Sequence, residues 1–297
     1  MFTDKYVQYF DQTANDYIAK AIRENKGGLM VAKFGTTELD TMLFYMLNNK
    51  SLKAYCDMIH GRRHILKNEF PFLLSLAGFF PCDFDLARRF KDLYLEDIKQ
   101  IDILSSYIYV EHYLQKELSH CIKVNLDGYY APFMWNNPWT KELKGKRVLV
   151  IHPFSESIEK QYERREKLFN NSDVLPEFKE LILIKAVQTI AGNKTEHGFE
   201  TWFDALEYMK TEISKKNFDV ALIGCGAYGL PLAAHVKRMG KIAVHLAGWT
   251  QMLFGIYGNR WLNDQPKYAK FINEYWIRPN DAEKPQKAEL VENGCYW

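Results

Sequence analysis

The sequence predicts an α/β protein built on a mostly parallel sheet with helices on both faces and a largely helical N-terminal portion. Three observations carry this expectation. From residue 147 onward, short apolar runs alternate with amphipathic stretches, the order that gives parallel strands joined by right-handed crossovers. The runs RVLVI, ELILIKAV, FDVALI and KIAVHL are continuously apolar, as strands covered on both faces require. One of them ends in the glycine turn Gly224-Cys225-Gly226-Ala227-Tyr228-Gly229, which then opens a helix.

Residues 5–25 read as an amphipathic helix, with Tyr6, Tyr9, Phe10, Ala14, Ile18 and Ile22 near helical spacing and Gly27-Gly28 as its stop. LMVAKF is a strand of ordinary length. Gly35 breaks it, and Thr36 or Thr37 is a natural N-cap for a helix running through Asn48. From 51 to about 120 the pattern is mostly helical, interrupted at Pro71 and at Gly78–Pro81, with Asp83 or Asp85 capping LARRFKDLYLEDIKQ. Residues 121–146 collect Gly128, Pro132, Asn136, Asn137 and Pro138, all loop formers. They divide the chain into an N-terminal strand–helix region with a helical insertion (1–130) and a C-terminal half (131–297), unless the two form one continuous domain. In the second half, strands at 147–151, 180–187, 218–223 and 241–246 alternate with helices at 155–169, 199–216 and 230–239. Trp202, Leu206, Met209 and Ile213 share one face of the second of these helices. The tail beyond Pro266 reads as an irregular wrap.

Composition narrows the function. A net charge of +2 argues against a nucleic-acid binder, and the basic run Gly61-Arg62-Arg63-His64 is too short to change that. The five cysteines are scattered, odd in number and without a C-x-x-C pair, which fits reduced thiols in a cytoplasmic protein. The N-terminus lacks the apolar core of a signal peptide. No apolar run reaches the ~18 residues of a transmembrane helix, so any membrane association is peripheral. Aromatic residues are abundant. Tyr129, Tyr130, Phe133, Trp135 and Trp139 suit a core, a sugar-stacking face or a docking face, and self-association into a homo-oligomer fits the same surplus.

The glycine turn sits where a backbone can approach a phosphate at a helix N-terminus, and it serves equally well as a tight turn with no ligand. A nicotinamide enzyme would carry an acid about 20 residues on, at the end of the next strand. That strand, IAVHLAG, offers His245 instead, so no NAD is expected. Lys33-Phe34-Gly35-Thr36-Thr37-Glu38 puts a cation at a strand end and an acid just inside a helix, where it either serves a ligand or complements the helix dipole. His152 and His245 end strands, and Gln188 and Thr189 follow one. Ligands of open α/β sheets bind beyond the carboxyl ends of the strands. Parallel strands would therefore bring Glu38, His152, Gln188, the glycine turn and His245 to one edge. Arg260, in Asn259-Arg260-Trp261, is either a guanidinium for a diphosphate or a structural Arg stacked on Trp. Arg164 and Arg165 read as solvent-facing.

With these residues in view, KFGTTEL resembles the RFGDGE region of GT-D-type glycosyltransferases, bacterial enzymes of surface-polysaccharide assembly with a Rossmann-like fold. GKRVLVIHPF, FDVALIGCGAYGLPLAAHVKRMGK and HLAGWTQMLFGIYGNRW are similar to their C-terminal half, so the resemblance spans residues 28–40 and 145–262. It implies transfer of a sugar from a nucleotide-sugar donor to a glycan acceptor. The family's Asp-x-Glu motif holds a divalent metal, Mg or Mn. Here Glu38 matches the Glu, Thr36 stands at the Asp and Lys33 stands at the family's Arg. The expected site is thus Glu38, His152 and His245 for the chemistry, with Glu38 as metal ligand or acceptor base. Lys33, Gly35, Thr36, Thr37, Gln188, Gly224, Gly226, Ala227, Tyr228, Gly229 and Arg260 would bind the donor. The missing Asp motivates a second reading, a non-catalytic nucleotide- or sugar-phosphate-binding protein of a biosynthetic complex.

Overall fold

The computed structural model describes residues 6–47, 74–190 and 198–297. Its strands are β1 (Leu29–Ala32), β2 (Ile103–Ser105), β3 (Ile122–Val124), β4 (Arg147–His152), β5 (Glu180–Lys185), β6 (Val220–Ile223) and β7 (Ile242–His245). They form one sheet in the order β3-β2-β1-β7-β6-β4-β5, with every pairing parallel. The chain has the α/β, Rossmann-like architecture that its apolar runs predict. The sheet carries strands from both sides of residues 121–146, because β1 pairs with β2 on one flank and with β7 on the other.

Several elements differ from the sequence expectation. β2 falls in the stretch expected to be mostly helical, and β3 opens the stretch expected to be irregular. Three residues are too few to show a period. Their strand state comes from tertiary pairing, with β2 on β1 and β3 on β2. Asp102 helps to fix the register: its Oδ2 accepts from Met30 N–H at 2.8 Å and its carbonyl accepts from Ile122 N–H at 2.9 Å. The first helix, α1 (Asp11–Glu24), starts later than residue 5, because Tyr9 is held extended in a bridge with Val124. The helix expected over 155–169 stops at Glu163, and the one expected over 199–216 is Trp202–Ser214 behind a Thr201–Asp204 capping box. The β5 strand ends at Lys185, two residues short of the apolar run, which releases Val187–Ile190 toward the sheet edge. The expected end of the second helix at Asn48, Cys56, Gly61–His64 and Pro71 lie outside the described residues.

Strand residues alternate between two cores. Met30, Ala32, Leu149, Ile151, Ala221, Ile223 and Ala243 face α2 (Thr36–Leu47), α3 (Phe84–Asp97), α6 (Trp202–Ser214) and α7 (Gly229–Arg238). Leu29, Val31, Val148, Val150, Val220, Leu222 and Val244 face α1, α4 (Leu126–Tyr130), α5 (Ser155–Glu163), α8 (Trp249–Leu253) and the tail. The aromatic surplus is spent largely inside. Tyr129, Tyr130, Phe133 and Trp139 are buried in the second core, so this run is packing material and not an exposed stacking face.

In the first core Trp202 packs edge-on to Phe90 and Phe203, contacts Phe79, and stacks on Tyr228 at 5.0 Å. It thereby backs the glycine turn from behind. Its indole Nε1 is buried without a hydrogen-bond partner. Trp202→Ala should cost about 3–5 kcal/mol in cavity and lost transfer energy. Trp202→Phe should cost only about 1–2 kcal/mol, because no hydrogen bond is lost with the N–H. Urea unfolding midpoints of the two variants check the contrast.

Candidate functional site

Along β1-β7-β6-β4, each strand sends its chain to the face opposite its neighbour's on the C-terminal edge. After β1 the chain enters α2 in the first core, while after β7 it enters α8 in the second. After β6 it enters α7 in the first core, while after β4 it enters α5 in the second. The loops part at each reversal and leave a crevice, the position where open α/β sheets bind ligands. Because β1, β7, β6 and β4 are adjacent, these crevices merge into one cleft of about 280 Å³.

Of the residues expected from sequence, Lys33, Gly35, Thr36, Thr37, Glu38, His152, Gln188, Gly224, Gly226, Tyr228, His245 and Arg260 line this cleft. Ala227 and Gly229 do not; both are buried beneath it. Arg164 and Arg165 lie elsewhere, the latter over the Tyr162 ring. Sequence reading missed Tyr107, Gln251, Glu292, Tyr296 and Trp297, which also line it. Tyr107 follows β2, so identifying that strand would have flagged it. The tail residues carry no such signal.

The glycine turn is explained by packing. Gly224 N–H donates to Ile151 O at 2.9 Å, Ala227 N–H to Ala77 O at 2.8 Å, and Gly229 N–H to Gly226 O. These three amides are therefore engaged within the chain. A Cβ at Gly224 would overlap the Ala247 carbonyl and the His152 ring, and one at Gly229 would overlap the His245 ring. Gly226 has φ +57° and abuts the Ala77 carbonyl. The turn accordingly shapes the cleft floor by close approach, and the phosphate-cradling role expected of Ala227 and Gly229 is not available to their amides.

Each charged group at the cleft has a carboxylate near it. Glu38, 8% exposed, sits in the first turn of α2 with its carboxylate folded back over Gly35, where a Cβ would collide with it. An acid there complements the helix dipole. Lys33 is half-buried. Its Nζ lies 3.3 Å from Phe34 O and 3.5 Å from Tyr107 Oη, and Tyr107 in turn donates to Phe34 O at 2.8 Å. Burial pulls the Lys33 pKa down to about 8, Glu38 opposes that shift, and Arg260 adds to it. Arg260 pairs with Glu292 and lies over the Tyr296 ring at 4.6 Å, so its aromatic partner is Tyr296 and not the adjacent Trp261. The N-terminus of α5 is filled by Glu283, which accepts from Glu156 N–H at 2.8 Å and from Ser157.

The two histidines differ in what they offer. His152 is 3% exposed, and its Nδ1 accepts from Phe154 N–H at 3.0 Å. The neutral ring must then carry its proton on Nε2. Burial lowers its pKa from 6.5 to about 3, which keeps it neutral. His152 is therefore a fixed hydrogen-bond donor and not a proton acceptor. His245 is likewise lowered to about 3, by burial first and by the Lys33 charge second. Neither of its ring nitrogens has a partner with hydrogen-bond geometry, although the Lys33 backbone lies nearby.

Among the described residues, no three His, Cys, Asp or Glu side chains come together as a metal cluster. Thr36 stands where the resemblance calls for a second carboxylate, and the Glu38 carboxylate is turned toward Gly35. These donors do not by themselves fit a resident divalent cation. No described helix is long and apolar enough to cross a membrane. Comparison with protein-family models, with curated proteins and with solved structures found no match to this chain.

The neutral histidines make the fold acid-sensitive. With a folded pKa near 3 and an unfolded value near 6.5, each imidazole contributes stability that is present above pH 6.5 and lost as pH falls toward 3. Asp97 and Glu111, raised by burial to about 6 and about 7, act in the opposite sense. They are common to wild type and a His152 variant and cancel in the comparison. Between pH 6.5 and 4.5, His152→Gln should lose about 2–3 kcal/mol less stability than wild type. Urea midpoints at the two pH values measure it.

Proposed function

We propose that this chain is a glycosyltransferase that moves a sugar from a nucleotide-sugar donor to a glycan acceptor. The observation that carries the reading is the convergence of Lys33 and Glu38, His152, and Arg260, from three separate segments, on one cleft along the strand ends where neighbouring chains part. The resemblance of residues 28–40 and 145–262 to GT-D-type glycosyltransferases supports it, as a likeness of sequence segments.

In this reading Lys33 and Arg260 neutralise the donor diphosphate, and His152 Nε2–H donates to an oxygen on which charge develops. Preorganised donors of this kind are usually the largest catalytic contribution. The acceptor hydroxyl attacks the anomeric carbon, the bond from that carbon to the diphosphate oxygen breaks, and the electron pair leaves with the diphosphate. The hydroxyl proton passes to Glu38, a base contribution of ~10²–10⁴-fold. Aromatic side chains of the lining, Tyr296 and Trp297, suit a sugar or base face. A divalent metal, if one binds with the substrate, would bring additional positive charge to the diphosphate; no step here depends on it.

Thr36 at the position of the motif's Asp, with no cluster of metal-holding side chains among the described residues, favours a second reading, a nucleotide- or sugar-phosphate-binding protein without turnover. A thermal-shift screen of wild type and Glu38→Gln against nucleoside diphosphates and nucleotide-sugars, with and without Mn²⁺, separates the two when run beside an assay of nucleoside diphosphate release. At a ligand concentration of 100 Kd, binding should add about 2.7 kcal/mol to wild-type stability. Release that is lost in Glu38→Gln while binding persists is the transferase result. Binding without release in wild type is the second reading. No shift with any nucleotide refutes both.

A further inference from the structure

Four charged side chains line the cleft among the described residues: Lys33 and Arg260 on one side of the balance, Glu38 and Glu292 on the other. The cleft as folded is therefore electroneutral, a poor starting point for an anionic ligand. The two acids are held differently. Glu38 is buried within the first turn of α2. The Glu292 side chain is 67% exposed, while the Arg260 guanidinium that it grips is 18% exposed. The ion pair thus couples a sheltered cation to an acid that already faces water.

The backbone around Glu292 points the same way. Glu292, Asn293 and Gly294 are consecutive left-handed residues, with φ of +45°, +55° and +72°. Two of the three are not glycine, and such conformations persist only when neighbouring contacts over-determine them. Those contacts lie further along the chain. Cys295 O accepts from Arg260 N–H at 2.9 Å, Tyr296 O accepts from Gln251 Nε2 at 3.1 Å, and Trp297 packs edge-on to Phe154. The anchors follow the strained turn, so the Glu292 side chain can swing off without unseating residues 295–297.

We propose that Arg260 is the oxyanion subsite of the cleft and that Glu292 is an intramolecular stand-in, displaced when a phosphate-bearing ligand takes its place on the guanidinium. A planar guanidinium binds carboxylate and phosphate through the same paired N–H donors, which is why one can replace the other. A diphosphate brings more charge than a single carboxylate, and a pair whose carboxylate already faces water opposes the exchange by a modest amount. Tyr296, lying over the guanidinium, holds it in plane for either occupant. The inference rests on the reading of the cleft as a site for a phosphate-bearing donor, and it adds that the apo chain competes with that donor through Glu292.

The test is isothermal titration of wild type, Glu292→Gln, Glu292→Lys and Arg260→Gln with inorganic pyrophosphate and with uridine diphosphate. Circular dichroism melts confirm that each variant is folded. Removing the competitor should tighten pyrophosphate binding about tenfold in Glu292→Gln, the effect of ~1.4 kcal/mol of lost competition. Glu292→Lys should tighten it further, and Arg260→Gln should abolish it. Should Arg260→Gln fail to fold, the two Glu292 variants still decide. Equal affinity in wild type and Glu292→Gln overturns the stand-in role and leaves the nucleotide-binding reading intact. Weaker binding in Glu292→Gln makes Glu292 a ligand contact and also overturns it. No binding of either probe to wild type or to either Glu292 variant overturns both the inference and the reading beneath it.

Discussion

Close approach at Gly224 and Gly229 is the constraint on which the rest of the site depends. Without a Cβ at Gly224, the Ala247 carbonyl and the His152 ring can both press on the end of β6. Without one at Gly229, the His245 ring lies close against the start of α7. These contacts draw the ends of β4, β6 and β7 together and set the depth of the cleft. They also explain why both imidazoles are neutral: rings packed this tightly against backbone have lost the water that would stabilise a charge. One local feature, two missing methyl-sized groups, thus governs shape and protonation together.

The electrostatics of the cleft follow a second pattern. The cations Lys33 and Arg260 have the chain's own acids, Glu38 and Glu292, close by, and the N-terminus of α5 is capped by Glu283. Buried or half-buried charge is costly when unpaired, so a site with no ligand must satisfy itself. The same economy separates permanent from replaceable partners. Glu283 bonds two backbone amides and a serine hydroxyl in a buried setting, as a structural cap does. Glu292 reaches the Arg260 guanidinium and the neighbouring Cys295 thiol from solvent.

Much of this was legible in the sequence. Continuous apolar runs announced five of the seven strands, and positions at or just past strand ends gathered Glu38, His152, Gln188, the glycine turn and His245 at one edge. The parts that were not legible have physical reasons. Strands of three residues, β2 and β3, have no period to detect and owe their conformation to partners distant in sequence. The glycine pattern Gly224–Gly229 looks the same whether the missing Cβ admits a ligand or a protein carbonyl, and only the hydrogen-bond partners of its amides decide. Tyr107 was hidden because its strand was. Glu292, Tyr296 and Trp297 reach the cleft along an irregular tail whose course no periodicity encodes.

The position of β1 has a consequence for how the chain comes together. This strand lies inside the sheet between β2 and β7, and β7 is the last strand to be made. During synthesis the first half can pair β1, β2 and β3 but must leave the other edge of β1 open until residue 245 has emerged. Pairings of such long sequence separation slow folding, because loop-closure entropy is spent before the contacts return it. An open edge of Leu29, Met30, Val31 and Ala32 is in the meantime a template for wrong partners. The strand that carries Lys33 into the cleft is therefore also the one that a nascent chain has most need to shield.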